Sequence, residues 1–236
     1  MKKLMIASPC HGGKVDNTFT LSLIQSLYLL DHAGIQTIVL LPTTGSILAK
    51  ERNQIVHTFM KSDCTHLLCI DSDMGWDPNA PMKFLQYDTD IIAGVYPVRN
   101  NKTEKRFIFR PDTNPDNSII TEGKLLKMLA VPAGFLMISK VALLKMQESL
   151  QHLKYYGYDV DMNVEEGYAF FNTEIIDGDF WGEDYVFCNN AKKAGLDIWC
   201  DPTIQFTHDN KTGALTEILT GIKPINNNTY EFKTSD

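Results

Sequence analysis

The stretch LLCIDSDMGWDP, from Leu67 to Pro78, constrains this chain more than any other segment. Leu67 to Ile70 are consecutive apolar residues, the pattern of a buried strand. Two carboxylates, Asp71 and Asp73, follow at once. In open α/β sheets ligands bind at the strand ends. The two carboxylates are expected to reach one cation from a turn that follows the strand. Gly75 is expected to permit that turn. Hard oxygen ligands there suit Mg²⁺ or Mn²⁺ bridging to a substrate's phosphates. A pair of solvated turn residues is the alternative.

The segments around this stretch alternate strand and helix. KLMIASP, from Lys3, reads as a first strand. A helix capped by Asn17 or Thr18 runs to His32, and Gly34 ends it. Gln36 to Leu41 is a second strand, stopped by Pro42. Ser46 to Lys61 is an amphipathic helix with Ile47, Leu48, Ile55, Val56 and Phe59 on one buried face. His66 to Ile70 is the third strand, Asn79 caps a short helix with Pro81 in its first turn, and Asp90 to Val95 is the fourth strand. Repeated βα units imply an α/β fold with a mostly parallel central sheet and helices on both faces.

The second half is less regular. Phe107 to Arg110, Ile119 to Ile120 and Lys124 to Ala130 read as short, partly antiparallel strands, and Gly134 to Ser139 as another. Helices are expected from Val141 to Leu150 and from Glu183 to Ala194, closed by Gly195. Asp197 to Cys200 and Ile204 to Thr207 complete the strands. Gln151 to Gly182, rich in Tyr, Phe and acids, reads as a long loop, functional or mobile. The expected organisation is one domain over 1–211 and a tail over 212–236 with a polar end around Asn227.

Composition removes several function classes. The net charge of −7 over 236 residues argues against nucleic acid as a bulk electrostatic partner. It leaves room for a phosphorylated small molecule held by a metal and a few local cations. The apolar run in MKKLMIASPCHGG is too short for a signal sequence or a membrane span. The five cysteines form no CxxC pair, which argues against zinc or a disulfide framework and fits a reducing, cytoplasmic setting.

Six segments in this order resemble the GT-A glycosyltransferases, the nucleotide-sugar-dependent fold with a D-x-D metal site. They are ASP after strand 1, AKERNQIVHTFMKSDCTHLLCIDSDM, AGVYPVR, AGFLMISKVALLKM, GEDYVFCNNAKKAGLDIWCDP and FTH. Together they span roughly residues 3 to 211. The chain's compact character is also similar to the small glycosyltransferases of large viruses and phages.

The resemblance implies a donor that is a UDP- or GDP-linked sugar and an acceptor that is a glycan or other hydroxyl compound. It implies nucleotide contacts from Ser8, Pro9, Cys10, Arg52, Asp71, Ser72 and Asp73, with Lys211 neutralising the diphosphate. It implies a metal held by Asp73 and His208, with Asp71 on the ribose or on a metal-bound water. Imidazole favours Mn²⁺ over Mg²⁺. Asp184 is the implied general base and Glu183 its acceptor-binding neighbour, in an inverting scheme. Ala133, Gly134 and Trp181 would border the donor or acceptor sugar.

Each residue also has a plainer reading. Pro9 can simply stop a strand, and Arg52 can be a solvated helix charge. Glu183 and Asp184 can serve the helix dipole, which would keep Asp184 ionised. Lys211 can be a solvated surface lysine, Gly134 can serve close packing, and Trp181 can be core. Three other functions share parts of the pattern: a haloacid-dehalogenase-type phosphatase, a nucleotidyltransferase using HGGK, and a non-catalytic nucleotide-sugar-binding module.

Overall fold

The computed structural model describes residues 2–45, 47–99, 106–158, 164–209, 211–219, 224–226 and 229–231. The apolar strands assemble into one nine-stranded sheet. Its path runs Thr121–Glu122, Leu125–Ala130, Ile198–Cys200, Ile91–Ala93, Phe135–Ser139, His66–Ile70, Lys3–Ala7, Gln36–Leu40, and Arg110–Pro111 also pairs with Leu125–Ala130. Phe135–Ser139 and Leu125–Ala130 run against the other strands, so the sheet is mixed but mostly parallel in direction.

Strand periodicity divides the core into two layers. Met5, Ala7, Leu67, Cys69, Leu136 and Ile138 face one layer, and Leu4, Ile6, Leu68, Ile70, Phe135 and Met137 face the other. Helices α2 (Leu48–Lys61), α4 (Lys140–Ser149) and α5 (Glu183–Lys193) cover the first layer through Ile55, Phe59, Leu143, Met146 and Phe187. Helices α1 (Asn17–His32) and α3 (Ala80–Gln86) cover the second through Phe19, Leu23, Phe84 and Leu85. This is the α/β architecture that the alternating segments predict, with helices on both faces and small antiparallel sheets beside the main one.

Several local expectations differ from the structure. Asp16, not Asn17 or Thr18, is the residue before α1, and it makes no side-chain cap. Helix α2 begins at Leu48, and Ile47 and Leu48 are exposed because the buried stripe starts only at Arg52 and Asn53. Asn79 stands before α3 without capping it, and Asp77 Oδ1 accepts the Asn79 amide instead, at 3.0 Å. Gly75 does not make the turn after the third strand. It lies inside Met74–Trp76, where a Cβ would stand 3.1 Å from Thr18 Cβ and 3.3 Å from Thr207 Cβ. The turn itself is closed by Met74 N–H donating to Asp71 O at 3.2 Å.

Gln151 to Gly182 is not a structureless loop. Among its described residues, Lys154–Tyr158 pairs with Val164–Tyr168, and Glu174–Ile176 pairs with Asp179–Trp181. Neither KYYGY nor VEEGY alternates apolar with polar residues, so no period of two marks these strands in the sequence. The first hairpin is tied to α2 by Glu165, which takes both His57 and Lys61.

Beyond the second half's last strand, Lys211–Ala214 pairs with Gln205–His208, and a short helix, Thr216–Leu219, follows. Thr229–Glu231 pairs with Ser118–Ile119. Asn227, in the expected polar end, lies outside the described residues. All five cysteines are free and buried. No described helix is long and apolar enough to cross a membrane.

Gly94 marks the tightest packing between the main sheet and the small one. A Cβ there would stand 2.0 Å from Phe206 Cζ, and Phe206 is held among Tyr96, Phe135 and the core. Gly94→Ala is expected to destabilise the chain by about 1–3 kcal/mol or more through overpacking. Urea denaturation measures it, and an unchanged midpoint would mean that the Phe206 ring can retreat.

Candidate active site

Two structural features bring the site together. The third strand ends at Ile70, and the turn from Asp71 to Met74 leads straight into Met74–Trp76. That short strand pairs with Gln205–His208, in a register that puts His208 opposite Met74. A late residue is thereby carried to the D-x-D turn.

Asp73 and His208 meet there. His208 Nε2 lies 3.4 Å from Asp73 Oδ2, and Arg99 Nη1 lies 3.1 Å from the same oxygen. His208 Nδ1–H donates to the Pro97 carbonyl at 2.9 Å. This bond fixes the ring and leaves Nε2 turned to the carboxylate. In the neutral ring, a nitrogen lone pair would then face an anionic oxygen. The conflict is relieved by a proton or by a cation between them. Correspondingly, the hydrogen bond to Asp73 raises the His208 pKa against its burial, and the bond to His208 lowers that of Asp73.

Asp71 is held differently. Its amide donates to Gly134 O at 3.0 Å, and its Oδ1 accepts Arg52 Nη2 at 2.7 Å. Arg52 is 2% exposed, so it is not a solvated helix charge. Its guanidinium also donates through Nη1 to Ala133 O and through Nε to Glu183 Oε1, each at 3.3 Å. Burial alone would lower its pKa, but Asp71, with Glu183 behind it, holds it above the ordinary value. Among the described residues no group of three His, Cys, Asp or Glu side chains is gathered as a metal cage. Asp73 and His208 point at one position, while Asp71 Oδ1 is committed to Arg52.

Glu183 and Asp184 open α5. Asp184 Oδ1 accepts the Tyr185 amide at 2.8 Å. Its pKa is nonetheless raised to about 6, first by burial and then by the neighbouring Glu183 charge. Burial thus acts against the helix dipole, and a pKa of about 6 still leaves the carboxylate ionised at neutral pH.

Ser8, Pro9 and Cys10 are buried in extended chain beside Leu40 to Thr43, and the Ser8 hydroxyl has no partner among the described residues. Ser72 joins the two aspartates and accepts the Asp16 amide through its carbonyl at 2.9 Å. Lys211 sits opposite His208 in its hairpin, and its buried ammonium has no partner among the described residues. Gly134 is required by close packing, since a Cβ would stand 2.3 Å from the Tyr96 hydroxyl and 2.6 Å from Asp71 Oδ2. Ala133 is buried and contributes its carbonyl to Arg52. Trp181 is half-buried, with the Arg110 guanidinium 5.5 Å from its ring centre and Tyr185 edge-on at 6.1 Å.

The members of AGVYPVR take roles that their sequence does not announce. They supply Tyr96 against Gly134, the Pro97 carbonyl that orients His208, and Arg99 on Asp73. The same holds for Asn53, whose amide clasps the backbone of Phe171 in both directions, at 2.7 and 3.0 Å. No local signal marks these roles, because each depends on a partner distant in sequence.

No family model and no curated protein matches the chain. Solved structures with similar backbones include A197 from STIV, 17% identical, covering 91% of this chain and 94% of that one, with a TM-score of 0.48. A mutant Drosophila beta-1,4-galactosyltransferase 7, in complex with manganese, UDP-Gal and xylobiose, is 12% identical over 91% of this chain and 70% of its own, with a TM-score of 0.47. The inositol-1-phosphate CTP transferase from T. maritima is 11% identical over 88% and 89%, with a TM-score of 0.39.

The raised pKa of Asp184 has a consequence for stability. The carboxyl titrates at about 6 when folded and at the ordinary 3.8 when free. The folded state holds the proton more tightly, so stability falls as pH rises between these values, and the penalty is complete above about pH 6. Asp184→Asn is therefore expected to stabilise the chain at pH 7.5, on the order of 1–3 kcal/mol, with little effect at pH 4. Equal unfolding midpoints for both proteins at pH 7.5 would contradict this.

Proposed function

We propose that this chain is a metal-dependent glycosyltransferase that moves a sugar from a nucleoside-diphosphate sugar to an acceptor hydroxyl with inversion. The observation carrying this reading is the Asp73–His208 pair, linked through the D-x-D turn and Arg52 to the Glu183–Asp184 pair.

The donor set fits a divalent cation. Asp73 offers a hard oxygen and His208 a nitrogen already aimed by Pro97, a combination that favours Mn²⁺ over Mg²⁺. When bound, the ion would offset charge developing on the departing nucleoside diphosphate. Lys211 adds a positive charge beside His208, where its unpartnered ammonium suits a phosphate. Ser8 to Cys10 line the nucleotide end, and Asp71, held by Arg52, orients the ribose or a water.

On the acceptor side, Asp184 takes the proton of the attacking hydroxyl. Its pKa of about 6 suits a general base near neutral pH. Glu183 is committed to Arg52 through one oxygen and so holds the acceptor rather than its proton.

The test is nucleoside diphosphate release from a panel of UDP- and GDP-sugars with Mn²⁺. Chelator is expected to abolish it, and Asp73→Ala to do the same with the fold intact. Full turnover in chelator would overturn the metal reading. Release of pyrophosphate from a nucleoside triphosphate would indicate a nucleotidyltransferase instead.

Asp184→Asn should slow transfer by about 10²–10⁴-fold, the usual contribution of a general base, with donor affinity nearly unchanged. The base works deprotonated, so the wild-type rate should fall as pH drops through about 6. A product that keeps the donor's anomeric configuration would exclude the inverting scheme.

A further inference from the structure

A cleft runs along α5, with no residue of the D-x-D turn in its lining. It encloses about 370 Å³ and is lined by Arg110, Leu129, Trp181, Asn189, Lys192 and Lys193. The chain carries 29 acidic against 22 basic side chains, yet no carboxylate lines this cleft. Among the described residues, none of Arg110, Lys192 and Lys193 forms an ion pair. Nearby Lys124 and Lys127 do so with Asp201 and Asp197.

Two lysines in the last turn of α5 would by themselves be explained by the helix dipole. That explanation does not reach Arg110, which stands on a separate strand, Arg110–Pro111. Nor does it account for Trp181, whose ring Arg110 overlies at 5.5 Å. Like charges left together without counter-ions repel, and the repulsion is relieved when an anion enters. A tryptophan face beside them offers an apolar plane for a sugar ring.

The cleft is also joined to the proposed base. Trp181 packs edge-on against Tyr185 at 6.1 Å, and the Tyr185 amide is bonded to Asp184 at 2.8 Å. Tyr185 feels both Asp184, which raises its pKa, and Arg110, which lowers it, after the larger effect of burial.

We propose that this cleft is an acceptor subsite for an anionic sugar, a saccharide bearing a carboxylate or a phosphate. Trp181 carries the ring and Arg110, Lys192 and Lys193 hold the acid group. The assignment of the bound sugar as acceptor rests on the glycosyltransferase reading above. The binding chemistry does not.

The experiment separates the two. Glucuronic acid, glucose 6-phosphate and glucose are titrated into the full chain without donor, at low salt, with binding followed by NMR. At least one anionic sugar is expected to bind about tenfold or more tightly than glucose, losing most of that advantage at high salt. Which of the two wins distinguishes carboxylate from phosphate recognition.

The combined variant Arg110→Gln, Lys192→Gln, Lys193→Gln should bind all three sugars with similar affinity. Its thermal unfolding shows whether the fold is kept. If it does not fold, the Lys192→Gln, Lys193→Gln pair alone, both exposed, should still lower the preference several-fold. Equal affinity of the wild type for glucose and both acids, or an unchanged preference in the variants, would overturn the subsite. If the anion preference holds and nucleoside diphosphate release fails, the subsite stands and the glycosyltransferase reading falls.

Discussion

The buried guanidinium of Arg52 is the interaction on which the site's geometry depends. An arginine removed from water without partners would cost several kcal/mol, so it must be fully paired where it lies. Its partners come from three parts of the chain: Asp71 after the third strand, the Ala133 carbonyl before Phe135–Ser139, and Glu183 at the start of α5. Satisfying one cation thus brings the D-x-D turn, the antiparallel central strand and the start of α5 to a common point. Phe171 lies beneath the guanidinium at 5.9 Å, and Asn53 clasps the backbone of that same residue. Neighbouring residues on α2 therefore fasten the site and the segment beside it.

The antiparallel strand Phe135–Ser139 is the second constraint. It runs between His66–Ile70 and Ile91–Ala93, and its entry point carries Ala133 and Gly134. Because Gly134 has no Cβ, Asp71 and Tyr96 can close over the backbone there. Asp71 is consequently held at both ends, by Arg52 at its carboxylate and by Gly134 O at its amide. Asp73, two residues on, is left to His208 and Arg99. Identical side chains two residues apart thus acquire different partners from their surroundings.

The role proposed for Asp184 sets stability against activity. Burial lifts its pKa to about 6, which disfavours the charged form at neutral pH and so costs folding free energy. The same shift brings its basicity close to what proton transfer near neutral pH requires. A fully solvated aspartate at the same helix start would stabilise the chain but accept a proton poorly.

The order of strands and helices was legible in the sequence because it follows from local patterns. Apolar runs such as Leu67 to Ile70, the spacing of Ile55, Val56 and Phe59, and stops such as Gly34 and Pro42 each act within a few residues. The D-x-D turn, His208 and the Glu183–Asp184 pair stood out for the same reason, as chemically distinctive groups at element ends. What tertiary structure alone decided is how those groups are paired. That Arg52 is buried, that Pro97 aims His208, that Gly134 serves Asp71 and that burial overrides the helix dipole at Asp184 all depend on contacts between residues far apart in the chain. The hairpins within 151–182 belong with these. Their short strands carry no alternating pattern and become definite only when paired, and one of them is anchored by Glu165 to α2 about a hundred residues earlier. Local sequence sets which elements can form, whereas burial and pairing free energies, which are non-local, set what each charged group does.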